Sequence, residues 1–160
     1  MVRAMTFTIE LRPAGSGAIC RDILATIGDW FGLPESNAAY EALAETGPAI
    51  VARDEVGAAL GLMILKRHFD TTLEVYFIGV DRARHRQGAG RALMDHAEAT
   101  ARAEGRRFVQ VKTQGPSANY EPYARTRRFY EALGYAALEE LDVGWGPSNP
   151  ALILVKATQI

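Results

Sequence analysis

At 160 residues, 48% of them hydrophobic and 23% charged, the chain can build one well-buried core and is short for two, so a single domain over residues 1–160 is expected. One cysteine, Cys20, rules out an internal disulfide, and His68, His85 and His96 are too scattered for metal-ligand spacing, so no metal and no redox role is expected. A net charge of −1 argues against binding nucleic acid through bulk electrostatics, and no apolar run is long enough to span a bilayer, so neither a nucleic-acid nor a membrane partner is expected.

Met1 to Met5 leads into alternating residues rather than a signal-peptide core, which points to a cytoplasmic protein. Thr6 to Arg12 alternates as a strand, and Ile19, Ile23, Ile27 and Trp30 then recur at helical spacing until Gly32, Leu33 and Pro34. A short helix is predicted from Asn37 to Glu45, capped by Ser36 or Asn37 and closed by Gly47-Pro48. Ala49 to Arg53 and Ala58 to Lys66 read as strands joined by a turn at Asp54 to Gly57. Leu73 to Val80 is the clearest strand, with Glu74, Tyr76, Ile78 and Val80 on one face and Gly79 as a candidate bulge.

From Gly88 to Glu104 helix formers dominate, with Ala89, Leu93, Ala97 and Ala101 on one stripe ending at Gly105. Phe108 to Thr113 reads as a strand and Thr113 to Tyr120 as a loop. A helix entered at Pro122 carries Tyr123, Thr126, Tyr130 and Leu133 on one face up to Gly134. Two strands, Ala136 to Val143 and Ala151 to Ala157, close the chain. The order β-α-α-β-β-β-α-β-α-β-β defines a mixed α/β domain around one sheet.

Charge is unevenly spread along this order. Arg82 to Arg128 holds eleven Lys or Arg against four Asp or Glu, a local +7, whereas residues 1–81 carry −5 and 129–160 carry −3. On charge alone a solvated basic face would explain this. Within the segment, however, Val80 to Leu93 joins a strand to a helix through a basic loop with Gly88 and Gly90. Glycines let backbone N–H groups close on phosphate oxygens, and the helix adds its positive end. A dinucleotide fingerprint does not fit, because Leu93 stands where a third glycine is needed and seven residues separate Val80 from Gly88. No Gly-Lys-Ser/Thr follows, so a Walker loop fails too.

His85-Arg86-Gln87-Gly88-Ala89-Gly90, followed by Arg91-Ala92-Leu93, resembles the pyrophosphate motif of the GNAT acetyltransferase superfamily, Gln/Arg-x-x-Gly-x-Gly/Ala. His85 departs from the first position. Arg127-Arg128-Phe129-Tyr130-Glu131-Ala132-Leu133-Gly134-Tyr135 is similar to the family's helix ending in Phe-Tyr-x-x-x-Gly-Phe/Tyr, with Tyr123 standing where an Asn is frequent. The resemblance implies a single-domain GNAT fold, a mixed and mostly antiparallel central sheet flanked by helices. It also implies acetyl-CoA as cosubstrate, with the pantetheine arm along Ile78, Gly79 and Val80. The pyrophosphate would lie on N–H groups from His85 through Arg86, Gln87, Gly88, Ala89 and Gly90 to Arg91. Tyr123 and Arg127 join this cofactor-binding set, Arg84 is a further candidate for phosphate charge, and Asn119 or Ser117 offers a contact in place of the missing Asn.

The same resemblance implies N-acetylation of a primary amine, on a small molecule or a protein, by direct attack in a ternary complex. Holding an ammonium neutral costs about 1.4 kcal/mol per pH unit below its pKa, so a base is useful. The resemblance puts Glu74 at the base position and Tyr130 at the position of the acid that protonates the CoA sulfur. Alternatives stand beside both: a cross-strand carboxylate for Glu74 and core packing for Tyr130. Trp30, Phe31, Tyr40 and Trp145 either wall an acceptor pocket or belong to the core. A homodimer involving the last strands is a further expectation. The rival function is a catalytically silent GNAT-fold module that binds acyl-CoA as a sensor or interaction domain.

Overall fold

The computed structural model describes residues 5–158; the opening Met1–Ala4, on which the reading of the leader partly rests, lies outside them. The strands are β1 (Thr8–Arg12), β2 (Ala49–Arg53), β3 (Ala59–His68), β4 (Thr72–Val80), β5 (Phe108–Gln114), β6 (Ala136–Gly144) and β7 (Pro150–Ala157). The helices are α1 (Gly17–Thr26), α2 (Pro34–Thr46), α3 (Ala89–Ala103) and α4 (Glu121–Ala132). The sheet runs β1-β2-β3-β4-β5-β7-β6. The β4–β5 pair is parallel, and the β1–β2, β2–β3, β5–β7 and β6–β7 pairs are antiparallel. This is the mixed, mostly antiparallel α/β arrangement expected, in the expected order.

The chain divides into two compact units, Met1–Leu65 with Phe77–Ala97, and Lys66–Tyr76 with Glu98–Ile160. In the first, β1 and β2 pair from Thr8 opposite Arg53 to Arg12 opposite Ala49. Helix α1 begins at Gly17, two residues before its apolar stripe, because Glu45 of α2 accepts the Gly17 N–H at 3.0 Å. A carboxylate at a helix N-terminus satisfies an orphan donor and favours the dipole. A Cβ at Gly17 would lie 2.8 Å from that carboxylate, 3.0 Å from Glu45 Cβ and 3.3 Å from the Glu41 carbonyl, so a larger residue would push the Glu45 side chain aside.

The second helix departs from prediction. Pro34 starts α2 rather than ending α1, since its fixed φ suits the first helical position and its missing N–H costs nothing there. Asn37 is no cap; its Nδ2 donates to the Phe31 carbonyl at 2.8 Å and holds the connection between the helices. Phe31, Tyr40 and Phe77 form one aromatic cluster, with Phe77 4.8 Å from Tyr40 and 5.2 Å from Phe31 by ring centroids, and Tyr40 is buried in it. Gly79 has a packing reason to be glycine: a Cβ there would lie 3.0–3.2 Å from Phe77, Ile27 and Ile23.

In the second unit β7 is the central partner, pairing with β5 from Phe108 opposite Ala157 to Gln114 opposite Ala151, and with β6 on its other edge. Val109, Val111 and Leu154 are buried on this sheet. Glu98, near the end of α3, is buried and accepts both Lys156 Nζ, at 3.0 and 3.1 Å, and the Tyr135 hydroxyl, at 3.1 Å. Helix α4 stops where Gly134 takes φ 92°, a left-handed value that suits glycine.

Candidate functional site

The anion loop belongs to the first unit. After β4, Asp81 accepts the Ala83 N–H at 2.9 Å and caps a 3-10 turn over Arg82–Arg84. Two of the loop's arginines are spent on anchoring it. Arg82 bonds Asp29 at 2.7 Å and lies over Trp30, while its N–H donates to Thr26 Oγ1 at 3.1 Å. Arg84 bonds Asp54 Oδ2 and Gln87 Oε1, each at 3.0 Å. The β2–β3 turn is thereby tied to the loop. Asp54 also accepts the N–H groups of Ala58 and Val56, and its carboxyl is held below its ordinary value, first by Ala58, with Arg84 and Val56 adding to the effect. Arg84 thus has a structural partner, which argues against its use on phosphate.

His85 is used inside the loop as well. A carbonyl can only accept, so the 2.7 Å contact makes His85 Nε2 a donor to the Val80 oxygen. The ring packs edge-on to Trp30 at 5.4 Å, and the His85 N–H donates to the Arg82 carbonyl at 3.3 Å. Both its backbone donor and this ring nitrogen therefore have partners within the loop, which a phosphate contact from His85 would have to share or displace. Val80 O is correspondingly occupied.

The rest of the loop has the backbone an anion needs. Arg86 and Gly88 take left-handed conformations, φ 61° and 96°, separated by Gln87. Alternation of this kind turns successive N–H groups toward one concavity. Ala92 N–H is bonded to the Gly88 carbonyl. The N–H groups of Ala89, Gly90 and Arg91 fall in the first turn of α3, where an α-helix offers them no intrahelical acceptor. Arg86 and Arg91 are exposed, and among the described residues neither forms an ion pair.

The second unit holds the other predicted side chains. Glu74 is buried, its side chain 3% exposed, yet both carboxylate oxygens are paired: Oε2 with His68 Nε2 at 2.6 Å and Oε1 with Lys112 Nζ at 3.2 Å. His68 was missed from sequence. The sequence reading ends the strand at Lys66, whereas β3 runs on to His68 and a turn of only three residues leads into β4 and Glu74. Lys66 and Tyr76 form the neighbouring pair, with Lys66 Nζ 3.5 Å from the ring centroid.

Tyr130 is buried, with ring centroids 5.2 Å from Phe129 and 5.9 Å from Tyr135. Burial pushes its hydroxyl pKa well above the ordinary phenol value, so it stays protonated through the physiological range. Tyr123 neighbours Tyr120 at 6.1 Å. Arg127 donates to the Gln114 carbonyl at 2.9 Å. Gln114, also unread in the sequence, is buried at the end of β5 and donates to Asn149 Oδ1 at 2.6 Å. Ser117 bonds Glu140 rather than standing free for a ligand. Ile78, Gly79 and Val80 form the end of β4.

A family model described as an acetyltransferase (GNAT) domain matches residues 45–137, more than half the chain. The chain belongs to that family, and the fold and both motifs agree with it. A mycothiol acetyltransferase from Beutenbergia cavernae is 37% identical over 86 residues, 54% of this chain and 27% of that protein. The chain thus spans under a third of that relative's length. Among solved structures, a GNAT-family protein from Desulfovibrio desulfuricans matches with a TM-score of 0.78 at 22% identity, over 95% of this chain and 100% of that one. A GNAT acetyltransferase from Elizabethkingia anophelis with acetyl-CoA bound matches with a TM-score of 0.70 at 18% identity, over 94% and 97%. At these identities the structural likeness is one of fold. Among the described residues no helix is long and apolar enough to cross a membrane.

Proposed function

We propose that the chain transfers an acetyl group from acetyl-CoA to a primary amine of a small molecule or a protein, by direct attack in a ternary complex. The carrying observation is the loop, where left-handed Arg86 and Gly88 lead into the first turn of α3 and two exposed guanidiniums flank it. That constellation suits a pyrophosphate. Ile78, Gly79 and Val80 take the pantetheine arm along their backbone in this reading, and Gln87, Gly88, Ala89, Gly90 and Arg91 the phosphates. Tyr123 and Arg127 are proposed as outlying cofactor contacts.

Bound acetyl-CoA supplies the activated thioester. As the amine nitrogen bonds to the carbonyl carbon and the C–S bond breaks, one proton must leave nitrogen and one must reach sulfur. Glu74 is proposed to accept the first, directly or through water. Tyr130 is proposed to give the second; its raised pKa keeps the O–H in place to be donated. A cytoplasmic location and a homodimer through the last strands accompany this reading as proposals, and cell fractionation and light scattering test them. The name of the curated relative puts small molecules of the mycothiol type on the acceptor panel.

The test is calorimetric titration with acetyl-CoA beside free-thiol detection over an amine panel. Binding with thiol release for one amine class supports the enzyme. Binding with no release from a broad panel favours the silent acyl-CoA-binding module, and no binding refutes the loop argument.

A further inference from the structure

Glu74 is a buried carboxylate, and a buried charge must be paired or it costs several kcal/mol. Its two partners differ in kind. A lysine is ordinarily a cation throughout the physiological range, whereas histidine is the side chain whose charge changes within it. The side chains of His68 and Lys112 are 41% and 39% exposed, so both partners meet solvent while the carboxylate between them does not. Among the described residues, the charged groups paired with this carboxylate are His68 from β3 and Lys112 from β5. Lys66, the next inward-spaced charge on β3, is occupied over the Tyr76 ring.

We propose that His68 is a positioning residue for Glu74, fixing the carboxylate through Oε2 and, by its own charge, setting the pH range in which Glu74 accepts a proton from the amine. The inference rests on the acetyltransferase reading with Glu74 as base. With His68 neutral, the Glu74–Lys112 pair carries no net charge, and a lone pair on the carboxylate remains basic. With His68 protonated, the carboxylate is ion-paired at both oxygens, and taking a further proton there would leave two cations beside a neutral acid. Turnover therefore rises as pH climbs and His68 loses its proton, and falls again as His68 is protonated. A hydrogen bond to a charged group that is only half-shielded makes the geometric part of the effect of order tenfold in rate.

The experiment compares wild type, His68→Ala and His68→Gln, with kcat measured by thiol release from about pH 5.5 to about pH 9, where histidine changes charge. Acetyl-CoA affinity and melting temperature are followed beside it to show that each variant is folded. His68→Ala is expected to lower kcat about tenfold with acetyl-CoA affinity kept within about twofold. His68→Gln, a neutral donor at every pH, is expected to recover most of that loss at high pH and to lose the acid limb of the wild-type profile. A second arm follows the His68 ring signals by NMR in wild type and Glu74→Gln, where loss of the 2.6 Å contact with Oε2 is expected to shift them. Variants with the wild-type kcat and profile overturn the inference and leave the acetyltransferase reading intact. Ring signals unmoved by Glu74→Gln overturn it whether or not turnover is found. A wild type that binds acetyl-CoA but releases no thiol with any amine overturns the reading beneath it, and the inference with it.

Discussion

Replacing Gly79 by alanine tests whether the end of β4 is set by packing. The added Cβ would lie 3.0 Å from Phe77 Cζ, 3.1 Å from Ile27 Cδ1 and 3.2 Å from Ile23 Cγ2. All three neighbours are at most 3% exposed, and Phe77 is further wedged between Phe31 and Tyr40, so none can swing into solvent. Overpacking of a filled core costs about 1–3 kcal/mol, and three simultaneous contacts argue for the upper half of that range. For a chain of this size that is a fall in melting temperature of roughly 4–12 °C. Ile27→Val removes the Cδ1 atom and alone costs about 0.5–1.5 kcal/mol. Combined with Gly79→Ala it should relieve one clash, so the double variant is more stable than the sum of the singles by at least about 0.5 kcal/mol. Urea denaturation of the four proteins measures this cycle. A Gly79→Ala variant within about 0.5 kcal/mol of wild type, or strict additivity with Ile27→Val, would show that the close approach is not what demands glycine.

Arg86→Gly should separate fold from function: relief of a left-handed non-glycine residue offsets the entropy of glycine, leaving stability unchanged or up by about 0.5 kcal/mol, while acetyl-CoA binding weakens about three- to tenfold on losing a guanidinium. Calorimetry beside thermal melting reads both, and equal affinity would remove Arg86 from the phosphate site. Tyr130→Phe should cut thiol release at least about tenfold with acetyl-CoA affinity retained, and unchanged turnover would return Tyr130 to the core. The Glu104 carboxyl is pulled down from 4.5 to about 2, chiefly by the hydrogen bond from Arg67 and then by that from Arg106. Since the folded value is the lower one, its stabilisation is complete above about 4.5 and is lost as pH falls from there through about 2. Melting temperatures of wild type and Glu104→Gln should therefore converge across that window; a constant gap would show that the pair is not linked to folding.

The elements legible in the sequence are those encoded by nearby residues. The stripe Ala89, Leu93, Ala97 and Ala101 is wholly buried on α3, as the helical period required, and the Asp54–Gly57 turn joins the two strands read on either side of it. Misread positions are those decided by partners distant in sequence. Gly17 starts a helix because Glu45 accepts its N–H; Pro34 is the local exception, beginning a helix because its own fixed φ suits the first helical position. His85 stands at the ligand position of its motif, and the fold gives its ring partners that the motif does not show, a carbonyl five residues back and the Trp30 ring.

The same logic revises the meaning of the basic segment. Its local +7 counts only charges adjacent in the chain, and folding brings carboxylates to them from elsewhere: Asp29 to Arg82, Asp54 to Arg84 and Glu74 to Lys112. Arg102, Arg106, Arg125 and Arg128 find acids within the segment itself, at Glu98, Glu104 and Glu121. Seven of the eleven cations are thus paired, three of them with acids from outside the segment, which brings the local excess from +7 to +4, and paired surface charge exerts little field beyond a Debye length. What distinguishes the loop is local. Arg86 and Arg91 have no such partner among the described residues, and they flank the one place where the backbone turns left-handed twice before a helix begins. An anion drawn here is selected by that geometry, so acetyl-CoA affinity should depend less on the total number of arginines than on these two and on Gly88.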